Sequence, residues 1–416
     1  MHLYAFILGR KYLLSIAELC AVIGQSGKII DITQEALIAS FDAPLPNPEI
    51  SLKQLGGTIK IAEVVSETVA SKDTLGEEIA RYLINSFQGK ETKLVYGIST
   101  CSFARESDEI LRNTLNIVKK SLTEAGLKSR FINKGPKNPE SAAIKGEKLL
   151  QKGAEILAIN GAKHIYLART LAIQDFESYS KRDFDRPERD PRLGMLPPKL
   201  AQLMINLGGL TTLNPKMDPP KTVYDPFCGL GTVLMEGLFL GYNGIGSDIE
   251  TEIIEKAKTN IEWVRKFVPY ANKYQTSFFA KDATALTKED LPEEPDLVVT
   301  ESYLGPPISK IPTEENIQKN FKHIRELEVK FLQCLHPLLK TGTPLIISFP
   351  FYRDKNRFIF MDNLIGKITE MGFQMQPLIP EELRGKFNLG GTNQRQSLLY
   401  DRPDQIVGRE IWKFLK

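Results

Sequence analysis

The chain has 416 residues, of which 42% are hydrophobic and 25% are charged, and its formal net charge is +3. This length suits two or three domains with cores of their own, and the composition excludes a wholly disordered, collagen-like or coiled-coil chain. The four cysteines (Cys20, Cys101, Cys228 and Cys334) are far apart and form no CxxC pair, so neither a disulfide framework nor a zinc site is expected. This cysteine usage favours a reducing, cytoplasmic location.

The sequence contains no pattern typical of membrane attachment. Arg10 and Lys11 interrupt the apolar N-terminal residues, and no small-residue cleavage site follows, which argues against a signal peptide. No apolar run reaches the roughly 18 residues that a membrane helix needs. We therefore expect a protein without a membrane partner.

Residues 1–50 are predicted to form a small α+β domain with one helix over residues 15–24. Ser15, followed three residues later by Glu18, predicts a capping box at the start of that helix. The other predicted segments are strands at 3–8, 28–32 and 35–40 and a proline-containing linker at 44–49.

Residues 51–175 are predicted to form a second α+β domain, in which strands and helices mix without a long run of buried parallel strands. Asn160 and Gly161 predict a hairpin turn between its last two strands, which lie within 155–173. The remaining predicted segments are strands at 58–67, 93–102 and 128–135 and helices at 74–87, 107–126 and 142–153.

Residues 176–198 are polar, charge-dense and punctuated by prolines, which predicts a connector. From residue 199 to 416 apolar runs alternate with helical stretches, a βαβ series that predicts an α/β domain with a mostly parallel, doubly wound sheet. Strands are predicted at 222–227, 241–249, 276–283, 296–302 and 343–352, and helices at 230–240, 251–268, 313–340 and 358–371.

The strongest local signal is the sequence DPFCGLGT at residues 225–232, between a predicted strand and a predicted helix. Its glycines allow the backbone to approach a ligand closely, and free N–H groups at the helix start favour an anionic or polar ligand. The stretch is not GxGxxG, because position 234 is Leu, so a nucleoside is expected rather than a dinucleotide.

Acidic residues end the neighbouring predicted strands. Asp248 is placed to accept two hydrogen bonds from ribose hydroxyls, and Asp282 to accept one from an adenine amino group. An Asp at such a position, taken alone, is more often a helix cap or a turn residue. Together with Asp225, however, they place three acids at three successive strand ends, which share one edge of the sheet.

The fourth predicted strand ends at the sequence TESYLGPP, residues 300–307. Ligand chemistry in open α/β sheets takes place beyond the carboxyl ends of the strands, so Glu301 is expected to face the reacting centre. Tyr303 is placed to stack on an extruded base. The alternative is a structural loop rich in Pro and Gly with a capping Glu. The four histidines show no metal-ligand spacing, and no metal is expected.

With these motifs, residues 195–416 resemble class I S-adenosylmethionine-dependent methyltransferases, nearest the THUMP-associated tRNA guanosine-10 N2-methyltransferase group. Residues 4–24 resemble that group's ferredoxin-like opening domain, and residues 130–156 resemble its THUMP domain, which grips the acceptor end of tRNA. The matching stretches of the C-terminal half are 194–207, 225–232, 244–250, 281–284 and 397–411.

The resemblance implies an enzyme that transfers a methyl group from S-adenosylmethionine to an exocyclic amino nitrogen of a tRNA base, guanine N2. Glu301 and Tyr303 are the catalytic candidates. The candidates for cofactor binding are Asp225, Pro226, Phe227, Gly229, Gly231, Thr232, Asp248, Asp282 and Leu196. Within this implication the glycines line the methionine part, Asp225 lies near its amino group, Asp248 holds the ribose and Asp282 holds the adenine.

The RNA-binding candidates that the resemblance implies are Arg130, Lys134 and Lys137, and a solvated basic loop is the alternative. Residues 101–200 hold 19 Lys and Arg against 13 Asp and Glu, which is compatible with phosphate contacts. We expect a monomer, and a dimer stays open.

Two other functions stay open, and one departure from the family pattern supports the first of them. Amino-directed members carry Asp/Asn-Pro-Pro-Tyr/Phe after the fourth strand, whereas this chain has Glu301-Ser302-Tyr303-Leu304. The alternatives are an RNA-binding protein with a catalytically impaired methyltransferase fold and a DNA amino-methyltransferase.

Overall fold

The computed structural model describes residues 1–69, 71–90, 92–190, 195–213, 220–355, 357–389, 395–402 and 405–416. Gly194, in one of the stretches that resemble methyltransferases, and residues 403–404, in another, lie outside the described residues. The described strands form two separate sheets, one in each half of the chain.

The first sheet has the order β2-β3-β1-β4-β8-β7-β5-β6 and is antiparallel except where β5 meets β6 and β7. Its strands are β1 (His2–Leu8), β2 (Lys28–Ile32), β3 (Ala36–Phe41), β4 (Thr58–Val69), β5 (Leu94–Cys101), β6 (Ser129–Phe131), β7 (Gly153–Asn160) and β8 (Ile165–Ile173). The helices in this half are α1 (Tyr12–Ile23), α2 (Pro48–Lys53), α3 (Leu75–Phe87), α4 (Ser107–Glu124), α5 (Ser141–Gly146) and α6 (Leu149–Lys152).

Both predicted N-terminal domains contribute strands to this one sheet. Strand β1 pairs with β3 on one side and with β4 on the other, so hydrogen bonds run without interruption across the predicted boundary between residues 50 and 51. That boundary falls inside α2, whose first turn is capped by the side chain of Asn47. The division of this half into two domains stays a prediction.

The predicted capping box at Ser15 and Glu18 is wrong. Helix α1 begins at Tyr12, so both residues lie inside it. The Ser15 hydroxyl donates to the carbonyl of Gly57 at 2.7 Å. The buried Glu18 carboxylate accepts the backbone N–H groups of Gly56 at 2.7 Å and Gly57 at 2.8 Å. Tertiary partners, rather than the helix's own N–H groups, therefore take up these two polar side chains.

The predicted connector at 176–198 is not a simple linker. Helix α7 (Phe176–Phe184) occupies its first part, and the side chains of Arg182 and Arg186 are buried. Residues 191–194 of this segment lie outside the described residues. Because buried arginines need partners, this stretch packs against its neighbours rather than crossing solvent.

The second sheet has the order β11-β10-β9-β12-β13-β17-β15, with β9 to β13 parallel to one another and β17 antiparallel to its neighbours. Its strands are β9 (Thr222–Asp225), β10 (Asn243–Asp248), β11 (Thr276–Ala280), β12 (Leu297–Glu301), β13 (Pro344–Asp354), β14 (Arg357–Ile359), β15 (Gln374–Gln376), β16 (Leu398–Tyr400) and β17 (Val407–Leu415). Its helices are α8 (Pro198–Leu207), α9 (Thr232–Leu240), α10 (Thr251–Phe267), α11 (Glu314–Leu335), α12 (Leu364–Glu370) and α13 (Glu381–Phe387). The predicted mostly parallel, doubly wound sheet is confirmed.

One hydrophobic core joins the two halves of the chain through α8. Leu14 and Ile16 of α1 belong to the same buried cluster as Met204 of α8 and Val299 of β12. The approach is close, because a Cβ atom on Gly56 would lie 2.4 Å from the carbonyl oxygen of Lys199. The two halves are thus packed against each other through α1 and α8. No helix in the described ranges is long and apolar enough to cross a bilayer.

Candidate functional site

The candidate site lies where the order of the second sheet reverses. Strands β10 and β11 follow β9 on one side, and β12 and β13 lie on its other side, so the loops leaving β9 and β12 diverge. Such a switch point opens a crevice beyond the carboxyl ends of the strands. Asp225, Asp248 and Glu301 are the last residues of the adjacent strands β9, β10 and β12. The fold therefore brings these three predicted residues to one edge.

The loop between β9 and α9 has the backbone that its glycines were expected to allow. Gly229 has φ of +48° and Gly231 has φ of +81°, the left-handed region that other residues rarely adopt. A Cβ atom at Gly229 would meet nothing within 4 Å, so the loop leaves open space on that side. Cys228 in the same loop is buried, which raises the pKa of its thiol and keeps it protonated.

Asp225 ties the β9 loop to strand β12. Its Oδ1 accepts hydrogen bonds from the Thr300 hydroxyl at 2.7 Å and from the backbone N–H of Phe227 at 3.2 Å. Burial raises the pKa of Asp225 to about 7, against the lowering effect of these two donors. The nearby carboxylates of Asp248 and Glu301 raise it further. The buried Asp225 carboxyl thus connects the β9 loop to β12 by hydrogen bonds.

Asp248 and Asp282 differ in burial and in the hydrogen bonds that their carboxylates already accept from the protein. Asp248 is half-buried, and it accepts the N–H of Gly229 at 3.1 Å and that of Glu250 at 3.2 Å. Asp282 is exposed, and its Oδ1 accepts the backbone N–H and hydroxyl of Thr284, both at 2.8 Å. Asp282 therefore caps a short turn, as the alternative interpretation allowed, while lying one strand beyond Asp248.

Glu301 has a buried cationic partner that the sequence did not indicate. Its Oε1 accepts a hydrogen bond from Nε of Arg409, which lies on β17 and is only 3% exposed. Burial raises the pKa of Glu301, and the Arg409 guanidinium opposes that rise. Arg409 lies within the matching stretch 397–411, but a single sequence does not pair it with a residue more than a hundred positions away.

The loop after Glu301 turns one aromatic side chain toward solvent. Ser302 is buried and its hydroxyl donates to the carbonyl of Ser348 at 3.0 Å. Tyr303 is 41% exposed, and its ring lies edge-on to His323 with centroids 6.4 Å apart. Gly305, two residues further on, has φ of +92°, in the left-handed region that favours glycine. This exposed ring is free to stack on a planar ligand.

The remaining cofactor candidates are mostly packed into the protein. Pro226 is buried, and the half-buried ring of Phe227 lies edge-on to Phe331 of α11 with centroids 4.9 Å apart. Thr232 begins α9, and its hydroxyl oxygen accepts a hydrogen bond from Arg186 at 2.7 Å. Leu196 is buried in the core shared by the two halves, which agrees with a packing role.

The RNA-binding candidates lie far along the first sheet, around one ordered loop. Arg130 is on β6 and forms an ion pair with Glu147 at 2.5 Å. Lys134 and Lys137 are exposed on the loop that follows. Asn133 pins that loop, since its side-chain amide donates to the carbonyl oxygens of Ile98 at 2.8 Å and Lys137 at 2.9 Å. The loop thus presents two lysines from a fixed backbone.

Two buried arginines before α8 were also missed. Arg182 pairs with Glu236 of α9 at 2.7 Å, with both side chains no more than 1% exposed. A signal was present, because Glu236 is the one charged residue in the apolar helix sequence TVLMEGLFL. A lone charge in such a helix indicates a buried partner.

In the described ranges no cluster of three or more His, Cys, Asp or Glu side chains is arranged to hold a metal ion.

Comparison of sequences confirms the resemblance to tRNA (guanine-N2)-dimethyltransferases. No family model matches the chain. A curated tRNA (guanine(10)-N2)-dimethyltransferase from Methanothermobacter thermautotrophicus is 25% identical over 324 residues, which cover 77% of this chain and 80% of that protein. A protein of the same name from Pyrococcus abyssi is 33% identical over 89 residues, covering 21% of this chain and 22% of that protein. The similarity therefore extends across both halves of the chain.

Comparison of structures confirms the fold. TrmN from Thermus thermophilus aligns over 100% of this chain and 99% of its own, with a TM-score of 0.52 and 14% identity. At that identity the likeness concerns the fold alone. The chain has a Rossmann-like methyltransferase fold.

Proposed function

We propose that this chain transfers a methyl group from S-adenosylmethionine to an exocyclic amino nitrogen of a tRNA base, guanine N2. The observation that carries the proposal is the switch-point edge, where Asp225, Asp248 and Glu301 surround an open glycine loop. Similarity to a tRNA (guanine(10)-N2)-dimethyltransferase over 77% of the chain supports both the reaction and the substrate class.

The residues at this edge fit the cofactor. The open side of Gly229 leaves room for a ligand against the backbone, and Asp248 beside it offers carboxylate oxygens to ribose hydroxyls. Asp282 is exposed one strand further along, within the region where an adenine would lie. Bound there, S-adenosylmethionine supplies an electrophilic methyl group on its sulfonium. Asp225, already committed to Thr300 and Phe227, shapes the loop.

Glu301 is the residue that we assign to the amino group of the base. An exocyclic amino nitrogen is a weak nucleophile because its lone pair is delocalised into the ring. Arg409 occupies Oε1 of Glu301, which directs the second oxygen, Oε2, to accept a hydrogen bond from the amino group. That bond localises the lone pair and offers a site for the proton that is released. Correct alignment supplies the rest of the acceleration.

The aromatic and basic candidates complete the substrate site in this proposal. The base must leave its stack to reach the edge of the sheet, and the exposed Tyr303 ring receives its face. The N-terminal half, with ferredoxin-like and THUMP-like parts, holds the tRNA by phosphates and shape. Lys134 and Lys137 are the phosphate contacts on the pinned loop, with Arg130 on the strand before it.

The test is transfer of labelled methyl from S-adenosylmethionine to unmodified bulk tRNA, followed by analysis of the nucleosides. Label in N2-methylguanosine or N2,N2-dimethylguanosine is the expected result. Label in another nucleoside would contradict the proposed atom. No label, with both cofactor and tRNA shown to bind, would favour the non-catalytic RNA-binding alternative, and transfer to duplex DNA but not tRNA would favour the DNA enzyme.

A further inference from the structure

Helix α11 packs against the loop that leaves β12, residues 301–305, here called the β12 loop. The ring of His323 on α11 lies edge-on to that of Tyr303, with centroids 6.4 Å apart. A Cβ atom on Gly305 would lie 3.6 Å from Cδ1 of Ile324, the next residue of α11. The side chains that α11 directs to this loop therefore influence how the loop is held.

One side chain on the buried face of α11 interrupts an otherwise apolar row. The buried residues of this helix are Ile317, Phe321, Ile324, Glu328, Phe331, Leu332 and Leu335. Glu328 is 0% exposed, and neither of its carboxyl oxygens has a hydrogen bond of normal geometry to a described residue. Burying such a group costs stability, and apolar replacement of buried ionisable groups is often neutral or stabilising. The fold alone therefore does not account for an acid at this position.

The Ser302 hydroxyl of the β12 loop is the polar group that acts on Glu328. Burial raises the pKa of Glu328 to about 8, and the Ser302 hydroxyl opposes that rise. At neutral pH the carboxyl is therefore mostly protonated and has one O–H to donate. The single hydrogen of the Ser302 hydroxyl goes to the carbonyl oxygen of Ser348 at 3.0 Å, so the Ser302 oxygen is left to accept. Donor and acceptor are thus complementary.

We propose that Glu328, as a neutral carboxylic acid, donates a hydrogen bond to Ser302 and thereby holds the β12 loop in the position that methyl transfer requires. This inference rests on the proposed function. Ser302 lies between the catalytic candidates Glu301 and Tyr303, and its backbone N–H and hydroxyl both donate to the Ser348 carbonyl, so its position fixes theirs. Glu328 is fully buried behind the loop, which makes it a positioning residue rather than a catalytic one.

The experiment compares two substitutions of Glu328. Glu328→Gln keeps the shape of the neutral acid and a hydrogen-bond donor, whereas Glu328→Leu keeps a similar volume without the donor. For each variant we measure the single-turnover rate of methyl transfer to saturating unmodified tRNA, the Kd of S-adenosylhomocysteine and the thermal unfolding midpoint. E328L should lose about 10- to 100-fold in rate with an unchanged Kd and an unfolding midpoint no lower than that of the unsubstituted chain. E328Q should retain the rate.

A slower reaction in a variant that is no less stable separates positioning from a structural role. Ser302→Ala removes the acceptor by a smaller change and should reproduce the loss of rate. Combined with E328L it should add no further loss, because both substitutions break one hydrogen bond. Glu326→Gln is the matched control, at an exposed position of the same helix, and should leave the rate unchanged. A full rate in E328L or in S302A, or equal losses in E328L and E328Q, would overturn the inference.

Amide hydrogen exchange of the β12 loop tests the same contact without tRNA or cofactor. Exchange in peptides that cover residues 301–305 should be faster in E328L than in E328Q or in the unsubstituted chain. Equal exchange in all three would overturn the inference. If the unsubstituted chain transferred no methyl group to tRNA, the proposed function would fail, and the exchange rates would still decide whether Glu328 holds the loop.

Discussion

Arg409 on β17 reaches across β13 to pair with Glu301 at the end of β12. In the strand register Glu301 lies opposite Ser348 and Arg409 lies opposite Pro350, so the guanidinium comes from two positions beyond the end of β12. A carboxylate in this place is buried, and burial alone favours its protonated form. The ion pair therefore keeps Glu301 available as an acceptor.

Arg409→Gln should shift the pH dependence of methyl transfer toward alkaline pH. Without the cation, the pKa of Glu301, already raised by burial, rises further, so a larger fraction is protonated at neutral pH. The acid limb of the kcat profile moves to higher pH, and activity returns as the pH increases. Arg395→Gln is the control. It breaks the 2.7 Å ion pair between Arg395 and Glu410, which lies on β17 next to Arg409, and it should leave the acid limb in place. An unmoved acid limb in R409Q would contradict the assignment.

Glu301→Gln should slow the chemical step with little effect on cofactor affinity. The amide no longer carries the charge that localises the amino lone pair and takes its proton, and loss of general-base assistance costs about 10²- to 10⁴-fold. Single-turnover rates with saturating tRNA measure the chemical step, and S-adenosylhomocysteine binding is measured beside them. Glu250→Gln, at an exposed position of the same edge, should leave both quantities unchanged. A fully active E301Q would place the acceptor elsewhere in the loop.

The sequence predicted the parts of this site that local patterns encode. The apolar strands, the glycine turn and the acids at successive strand ends are each contained in a few adjacent residues, and parallel topology then brings Asp225, Asp248 and Glu301 together. The partners Arg409 and Arg186 depend on contacts between distant segments, which no local pattern specifies. The same reason explains the wrong capping box, because the partners of Glu18 are Gly56, Gly57 and Asn206 rather than its own helix.

Asp248→Asn should weaken cofactor binding more than Asp282→Asn. Asp248 is half-buried and bonded to the glycine loop through Gly229, so its replacement removes a ligand group and loosens the loop together. Loss of a hydrogen bond to a charged group is about 1.5–3 kcal/mol, or roughly 10- to 150-fold in Kd. Asp282 is exposed, and water competes for its interactions. Calorimetric Kd values for S-adenosylhomocysteine rank the two, and the reverse order would contradict the ribose assignment.

Lys134 and Lys137 should contribute more to tRNA affinity than Arg130. Both lysines are exposed on the loop pinned by Asn133, whereas Arg130 is already paired with Glu147. The logarithm of the association constant for tRNA falls linearly with the logarithm of the salt concentration. Each phosphate contact removed should make that slope shallower by about 0.7 to 0.9. The double variant Lys134→Gln/Lys137→Gln is therefore compared with Arg130→Gln by filter binding over a series of salt concentrations. Lys163→Gln, also exposed in this half, is the control. An unchanged salt slope in the double variant would show that the loop does not contact phosphate.

Glu18 should make the stability of the joined halves depend on pH. Its carboxylate is fully buried between α1 and α8, and burial raises its pKa from 4.5 in the unfolded chain to about 7. The folded state then binds the proton more tightly, so the unfolding free energy falls as the pH rises from about 4.5 to 7, by about 3 kcal/mol at most.

Glu18→Gln removes this titration but leaves one amide hydrogen facing a donor, which costs about 1–3 kcal/mol. Denaturant unfolding is therefore measured at pH 5 and at pH 8. At pH 5, E18Q should be less stable than the unsubstituted chain, and at pH 8 the difference in unfolding free energy between the two chains should be smaller. A difference that is constant between the two pH values would mean that Glu18 is ionised in the folded chain throughout this range.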